Sequence, residues 1–378
     1  HRGYFSGPAM PHPSRLLIVA VSGRALAQSA GRGGYRPVVL DLFADRDTRA
    51  ASSACRPINV PGTLRIDGAR LLDTARRLAP DSDLVYGSGF EGRPALLDRL
   101  SRGRALYGNT PATVARVRDP ARFFPLLRRL GIPHPAVRLT APASPQGWLL
   151  KRPGAAGGTG VLPARDPPTA GGGYYQRIEP GDTLSATFLA DGRRARVLGF
   201  NRQWTAPRPG RPYLYGGAVG GLTLRPRLRS AIEDALDVLV AETGLVGLNG
   251  LDFILQREKW LVLELNPRPT ATFELYDPDY PGGLLRWHLR ACGGELPLRP
   301  AARRAVRAHA VVHADAPGDA AMMRFPRWCR DLPIRGTRFT AGDPVCTVHA
   351  TGPDVPRTMA LLRRRLHAFS RWLWRQAA

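Results

Sequence analysis

A chain of 378 residues has room for two or three domains, and its 43% hydrophobic content is ordinary for a globular protein. No apolar run approaches the length of a membrane span, so a transmembrane class is excluded at the level of the sequence. The net charge of +25 invites a nucleic-acid reading, but the basic residues are scattered arginines, with lysine only at Lys151 and Lys259, and no basic tract carries interleaved aromatics. Small anionic substrates fit that charge; nucleic acid is not an expected partner.

Cys55, Cys292, Cys329 and Cys346 lie far apart and form no CxxC pair, which argues against a zinc site or a disulfide framework and for a reducing, cytoplasmic setting. His309 and His313 sit in a strand-like run without further ligands and are not read as a metal pair. Residues 1–13 read as a flexible N-terminal segment with no long apolar stretch and hence no signal peptide; Met10 is a candidate natural start.

In chain order, Arg15 to Val21 is a buried strand, followed by the small turn Ser22-Gly23-Arg24 and a helical run, and then by a second strand from Val38 that ends in Asp41. This is a βαβ opening. A helix over Leu71–Pro80 leads to a strand at Leu84–Tyr86, and the loop Gly87-Ser88-Gly89-Phe90-Glu91 follows it. Open α/β sheets bind ligands at such loops, so this one is a candidate acceptor-substrate site, with a plain turn as the alternative. A short strand over Ala105–Asn109 closes the first domain, expected over residues 14–118.

The second unit, expected over 119–293, opens with a helix from Asp119 to Leu130 stopped by Gly131 and Pro133. The strand Trp148–Lys151 then runs into Gly154-Ala-Ala-Gly-Gly-Thr-Gly160, whose bare amides can lie on phosphate oxygens while Lys151 supplies a point charge. No GK[ST] follows the glycines, so this is not a Walker A loop. A strand into turn at Tyr174–Asp182, a hairpin around Asp191-Gly192, and an amphipathic helix over Leu228–Thr243 closed by Gly244 deliver the chain to its central feature.

That feature is Leu248 to Arg268, two apolar arms broken at Gln256-Arg257-Glu258-Lys259. Glu264 and Asn266, two apart, face the same way, and hairpin pairing could bring Asp252 beside them. Two carboxylates and an amide oxygen on one face are the hard donors Mg²⁺ (or Mn²⁺) takes when substrate phosphates complete its shell. Arg268 would reach the same space and hold a phosphoryl oxygen. The bland alternative is a hairpin with a solvated polar face; the strongly apolar arms argue against it, because a lone charge there is costly unless paired or metal-bound.

A strand lysine, a glycine-rich loop, the segment Gln176-Arg177-Ile178-Glu179-Pro180-Gly181, an amphipathic helix, then DFIL and ELNPR in this order resemble the ATP-grasp superfamily over roughly Asp119 to Arg290. Within it the stretches SGRALAQSA, VYGSGFE, SATFLADGRRARVLGFNRQW and GTRFTAGDPVCTVHA resemble the predicted ATP-dependent carboligases related to biotin carboxylase, a group that includes a tyramine–glutamate ligase of methanofuran biosynthesis. The resemblance implies an α/β (α+β) architecture: an ATP-grasp fold with an N-terminal Rossmann-like domain and a small C-terminal β-rich lobe over 294–378. It implies that Lys151 holds the α- and β-phosphates of ATP under a flap of Gly157, Gly158, Thr159 and Gly160. Gln176, Arg177 and Ile178 would form the adenine hinge, with Glu179 or Asp182 at the ribose, and Asp252, Glu264 and Asn266 would hold two Mg²⁺ ions. Lys151 and Arg268 are the expected catalytic residues. The family usually carries a further early lysine; here Asp119 is followed by Pro120, and Arg118 or Arg122 is the candidate replacement. The implied activity is carboxylate–amine ligation through an acyl phosphate, in building a one-carbon carrier coenzyme of the methanofuran or methanopterin type. A carboxyphosphate-forming carboxylase and a non-catalytic ATP-binding protein remain as alternatives. Expected partners are small-molecule carboxylate and amine substrates, with a homodimer left open and no membrane.

Overall fold

The structure is a computed structural model that describes residues 13, 15–152, 154–155, 157–165, 172–320 and 323–377, with side chains to residue 370. The expected N-terminal segment lies outside the described residues except for Pro13.

The first unit is a five-stranded parallel sheet of order β3-β2-β1-β4-β5. Its elements are β1 (Leu16–Val19), α1 (Arg24–Arg32), β2 (Val38–Asp41), α2 (Arg46–Ala50), β3 (Ala54–Pro57), α3 (Gly68–Leu78), β4 (Asp83–Tyr86), α4 (Pro94–Ser101) and β5 (Leu106–Tyr107). Leu16, Leu17, Ile18 and Val19 are all buried because helices cover both faces, the condition under which a strand reads as an unbroken apolar run. α3 starts three residues before the expected Leu71: Asp67 caps it, its carboxylate accepting from the Arg70 N–H at 3.0 Å. The expected strand over 105–109 is only two residues long, because Thr110 caps a further helix, α5 (Pro111–Arg118). The strand β3 and the helix α4 have no distinct signal in the sequence; β3 is held by its pairing with β2.

After α6 (Pro120–Arg129), a four-stranded sheet of order β6-β9-β7-β8 carries the lysine strand. Its strands are β6 (Val137–Arg138), β7 (Trp148–Lys151), β8 (Val161–Pro163) and β9 (Tyr174–Arg177). The chain then builds β10 (Asp182–Asp191), β11 (Ala195–Thr205), β12 (Tyr215–Leu222), α7 (Pro226–Thr243), β13 (Val246–Gln256) and β14 (Lys259–Asn266). Gly244 ends α7 in the left-handed region (φ 70°), which a glycine adopts without strain. One face of this antiparallel sheet packs Ala186, Phe188, Leu251 and Phe253 against Ile232, Leu236 and Leu239 of α7; a fully buried side chain of this size contributes about 1.5–3 kcal/mol. The other face meets the N-terminal sheet through α8 (Leu284–Cys292). There His288 is wedged between units: its Nδ1 accepts from the Leu248 N–H at 2.8 Å and its Nε2 lies 3.0 Å from the Tyr107 carbonyl. Burial pushes its imidazole down to about 4, so it is neutral, with the proton on Nε2.

The C-terminal strands are not a detached lobe. β15 (Val306–His313), β17 (Cys329–Arg330) and β19 (Pro344–Gly352) continue the same eight-stranded sheet, of order β14-β13-β10-β11-β12-β15-β19-β17. The join is β12, for which the sequence reading named no element: four of its eight residues are glycine, and β11 and β15 on either side make it a strand. Beside this sheet, β18 (Arg338–Phe339) pairs with β16 (Gly318–Asp319). Helix α9 (Val355–Ala377) covers the extension, with Leu362 and Phe369 buried beside Cys329 and Val348.

Candidate active site

Three elements bring their charged residues to one place: the β13–β14 hairpin, the lysine strand β7 and the last residue of α5. On the hairpin, Asp252 pairs directly with Glu264, and Asn266 stands opposite Gly250. The register shifts between Asp252 and Phe253, because a bulge at Leu263 interrupts the ladder. That bulge leaves the Leu263 carbonyl free to accept from Gln176 Nε2 at 3.2 Å, while Gln176 Oε1 accepts from Lys151 Nζ at 3.0 Å. Gln176 is thus a rigid strut between the two sheets, and it orients the ammonium of Lys151.

The two half-buried carboxylates face each other, a costly arrangement without a cation. Asn266 Nδ2 donates to Asp252 Oδ2 at 3.2 Å, and Gln203 Nε2 donates to Asp252 Oδ1 at 2.9 Å. Arg118 Nη1 donates to Glu264 Oε2 and to the Leu265 carbonyl, each at 3.2 Å. Burial and then the Glu264 charge raise the Asp252 carboxyl above the usual range. Burial acts the same way on Glu264, but Arg118 and Lys151 outweigh it and hold Glu264 well below that range. The pair therefore shares its ionisation unequally, as two carboxylates in one site do.

Of the two candidates for the early cation, Arg118 is the one that faces the cluster. It is buried and points at Glu264, whereas Arg122 is exposed and pairs with Asp119 at 3.4 Å. Among the described residues Arg118 Nε has no hydrogen-bond partner although it is buried, so the site offers an anion an unused donor. Arg118, Lys151, Tyr174, Glu264, Gly157 and Gly158 line a cavity of about 80 Å³. The glycine loop closes it: the Gly157 carbonyl accepts from the Tyr215 N–H at 2.9 Å, and a Cβ on Gly158 (φ 76°) would stand 1.8 Å from the Tyr213 carbonyl. Thr159 and Gly160 complete the described part of the loop; Pro153 and Ala156 lie outside the described residues.

Arg268 closes the opposite side. Its Nε donates to Glu91, the last residue of the loop after β4, and its Nη2 donates to Asn266 Oδ1 at 3.4 Å. Glu91 is almost fully buried and also accepts from the Gly89 N–H at 2.7 Å. Burial would raise the Glu91 carboxyl; Arg268 and then Arg118 overcome this and lower it. The glycine loop of the first domain is thereby tied to the arginine of the ELNPR segment.

The other nucleotide residues expected from the sequence stand apart from this cluster. Arg177 is exposed and its guanidinium lies over the Trp148 ring, 5.7 Å from the centroid. Ile178 is 46% exposed, and its N–H is already donated to the Gly147 carbonyl at 2.8 Å. Glu179 accepts from Gln256 Nε2 at 3.2 Å, and Asp182 is exposed at the first position of β10. Of the expected hinge, only Gln176 projects into the charged cluster. Sequence reasoning missed Gln203: it lies on β11, two strands away from β13, which carries Asp252, and no spacing rule links the two residues.

Asp252, Glu264 and the oxygen of Asn266 fit a divalent cation: two carboxylates forced together in a buried site, one of them proton-retaining, are the donor set that a metal ion relieves. Groups of three or more His, Cys, Asp or Glu able to hold a metal are absent among the described residues, so any ion here would draw on the amide or on a ligand's oxygens. No helix among the described residues is long and apolar enough to cross a membrane.

Residues 118–272 match the family model of the ATP-grasp domain. No curated protein sequence matches the chain. Among solved structures, the biotin carboxylase domain of Hydrogenobacter thermophilus 2-oxoglutarate carboxylase, in complex with MgADP, ADP and bicarbonate, is similar with a TM-score of 0.74 at 14% identity, covering 94% of this chain and 90% of that one. Phosphoribosylamine–glycine ligase from Thermotoga maritima is similar with a TM-score of 0.71 at 16% identity, covering 93% and 96%. Rhizobium etli pyruvate carboxylase gives a TM-score of 0.72 at 14% identity over 93% of this chain, which spans only 37% of that longer protein. At these identities the likeness is one of fold.

Proposed function

We propose, from the premise that this chain is an ATP-grasp protein, that it is a ligase joining a carboxylate to an amine through an acyl phosphate. The observation that carries the reading is the convergence of Asp252, Glu264 and Asn266 with the cations Lys151, Arg118 and Arg268. Phosphoryl transfer asks the protein mainly for positioning and charge compensation, and this cluster is built from such groups.

In this reading the Lys151 ammonium and the unused Arg118 Nε donor take phosphate oxygens of ATP, and Gln176 keeps the ammonium aimed. The loop over Gly157–Gly160 lies on the phosphates, with its bare amides as donors. Its present position leaves far less than the 300–1,000 Å³ of an ordinary ligand pocket, so it must lift from Tyr213 and Tyr215 to admit the nucleotide. Mg²⁺ held by Asp252, Glu264 and Asn266 neutralises phosphate charge when bound. The substrate carboxylate oxygen attacks the γ-phosphorus in line as the bond to the ADP oxygen breaks. Arg268, held by Glu91, faces the negative charge that develops. The acceptor nitrogen then attacks the acyl carbon, the bond to the phosphate oxygen breaks, and the nitrogen loses a proton as the amide forms. No step calls for a side-chain nucleophile.

The finer reading, a part in assembling a one-carbon carrier coenzyme, rests on the resemblance of SGRALAQSA, VYGSGFE and GTRFTAGDPVCTVHA alone. The test is phosphate release from Mg·ATP by the purified protein against a panel of carboxylates and amines that includes glutamate, tyramine and bicarbonate. Release that requires a carboxylate and an amine and is abolished in Glu264→Gln supports the ligase. Release with bicarbonate alone would favour a carboxyphosphate-forming enzyme. Tight Mg·ATP binding without turnover on any pair would favour a binding protein.

A further inference from the structure

Among the described residues, five buried side-chain polar atoms make no hydrogen bond. One is Arg118 Nε, in the cleft already described; two others, Arg208 Nε and His313 Nδ1, come together at a second place. Arg208 lies in the connection between β11 and β12, and His313 is the last residue of β15. The connection is a narrow turn around Pro209 and Gly210 (φ 71°). In it the Arg208 N–H donates to the Arg211 carbonyl at 3.1 Å, and the Arg211 N–H to the Arg208 carbonyl at 2.8 Å. So short a turn holds both arginines at one place. Because β12 pairs with β15, the turn comes beside the end of β15, and Arg208 Nη2 lies 3.3 Å from Asp315 Oδ1, two residues past His313.

Asp315 takes the outer edge of the guanidinium, since its own side chain is 59% exposed. The inner edge, Nε, is buried and has no acceptor. His313 is only 8% exposed. Burial, then Arg208 and Arg211, push its imidazole down to about 4 against the opposing effect of Asp315, so the ring is neutral. Groups buried without partners carry their full desolvation cost, and a ligand that met both would remove it. The surroundings select its charge. Two guanidinium groups beside an imidazole repel a cation and leave positive charge that an apolar or neutral ligand would not offset. An oxyanion accepts the Arg208 Nε–H and, with the ring proton on Nδ1, the His313 N–H, while Arg211 adds charge from the solvent side.

The place adjoins the reaction cleft without being part of its phosphate cavity. Gln203, which donates to Asp252, pairs with Ala218, and Ala218 pairs with His309, so His309 shares the sheet face of Asp252. His313, four residues along the same strand, points the same way. The turn runs directly into Tyr213 and Tyr215, whose backbone meets the glycine flap. Arg208, Arg211 and His313 are absent from the lining of the cavity beneath that flap.

We propose that Arg208, Arg211 and His313 form a binding site for an oxyanion, the carboxylate or phosphoryl group of a small molecule seated beside the ATP flap. The site goes beyond the ligase reading and does not depend on it.

The test titrates sodium sulfate and, separately, sodium acetate into the nucleotide-free full chain at constant ionic strength in sodium chloride. Binding is followed by NMR of isotope-labelled histidine, the His313 signal being identified by its loss in His313→Asn or, should that variant not fold, by its displacement in Arg211→Met. The expected result is a saturable shift of the His313 signal and an affinity about tenfold or more weaker in Arg208→Met, whose cooperative thermal melt reports that it is folded. Should Arg208→Met not fold, Arg211→Met, an exposed residue, takes its place with a loss of about threefold or more, the scale of a more distant charge. Tighter sulfate marks a phosphoryl group as the occupant, and tighter acetate a carboxylate. No saturable shift of the His313 signal in folded protein, or equal affinities in the unmodified chain and the folded arginine variant, overturns the inference. Either result leaves the ligase reading standing, because that reading is decided by Mg·ATP turnover.

Discussion

Asp252 and Glu264 are direct partners across the β13–β14 ladder, two half-buried carboxylates in one cross-strand pair. Like charges opposite one another destabilise a sheet, so this pair is held against the preference of the fold. Replacing Asp252 with Asn removes the repulsion and keeps the shape: its one oxygen accepts from Gln203 or Asn266, and its NH2 faces the Glu264 carboxylate as a donor. Asp252→Asn is expected to keep or raise the melting temperature and to lower ATP-dependent phosphate release by about 100-fold or more, the scale on which charge-compensating groups act. Thermal melting and a phosphate-release assay on the same preparation check this; a variant that loses stability and activity together would assign the pair a structural role.

The same pair sets a pH dependence. Asp252 has its pKa raised in the folded chain, so folding binds a proton there, and this contribution to stability is lost as pH rises from the ordinary carboxylate range through the raised value. Glu264 has its pKa lowered, and its contribution is present above the ordinary range and lost as pH falls below it. Divalent-cation binding needs both groups ionised. Mn²⁺ affinity of the nucleotide-free protein is therefore expected to rise with pH as Asp252 loses its proton, and Asp252→Asn should flatten the curve. Titration of free Mn²⁺ by electron paramagnetic resonance measures it.

In the proposed reading Arg118 brings a positive charge to the phosphates of ATP. Arg118→Met leaves Glu264 without its nearest cation and removes the spare Nε donor. ATP affinity is expected to fall at least tenfold, since hydrogen bonds to charged groups are worth about 1.5–3 kcal/mol. Arg122→Met, on the exposed side of α6, should change it by less than twofold. Equal effects of the two substitutions would remove Arg118 from the site.

Gly158 is where the flap depends on glycine. Its positive φ of 76° and the Tyr213 carbonyl 1.8 Å from a would-be Cβ make Gly158→Ala incompatible with the closed loop. The expected outcome is a raised KM for ATP and a lowered kcat, with global stability changed by about 1 kcal/mol or less because the loop packs against no core cluster. Steady-state kinetics with a denaturant melt separates the two effects; a Gly157→Ala variant, whose Cβ meets nothing within 4 Å, shows how much of the loss comes from backbone conformation alone.

Local chemistry made part of this protein legible from its sequence. The apolar run of β1, the glycine after α7, the flexible composition after Lys151 and the alternation of Glu264 and Asn266 each follow from short-range rules, period two in strands and positive φ for glycine among them. Those rules were enough to place the polar groups of the hairpin on one face and to name the cations near it. Tertiary structure decided the rest, because the remaining choices depend on partners distant in the chain. Whether Arg118 or Arg122 faces Glu264 is set by the direction in which α5 ends, and 146 residues separate the bonded pair. The glycine-rich segment Tyr215–Leu222 becomes a strand only because β11 and β15 flank it, and this makes the C-terminal strands part of the sheet that carries Asp252 and Glu264. The burial of Asp45 close to Asp331, far along the chain, is likewise a property of the assembled chain, since Coulomb interactions act through space without regard to sequence separation.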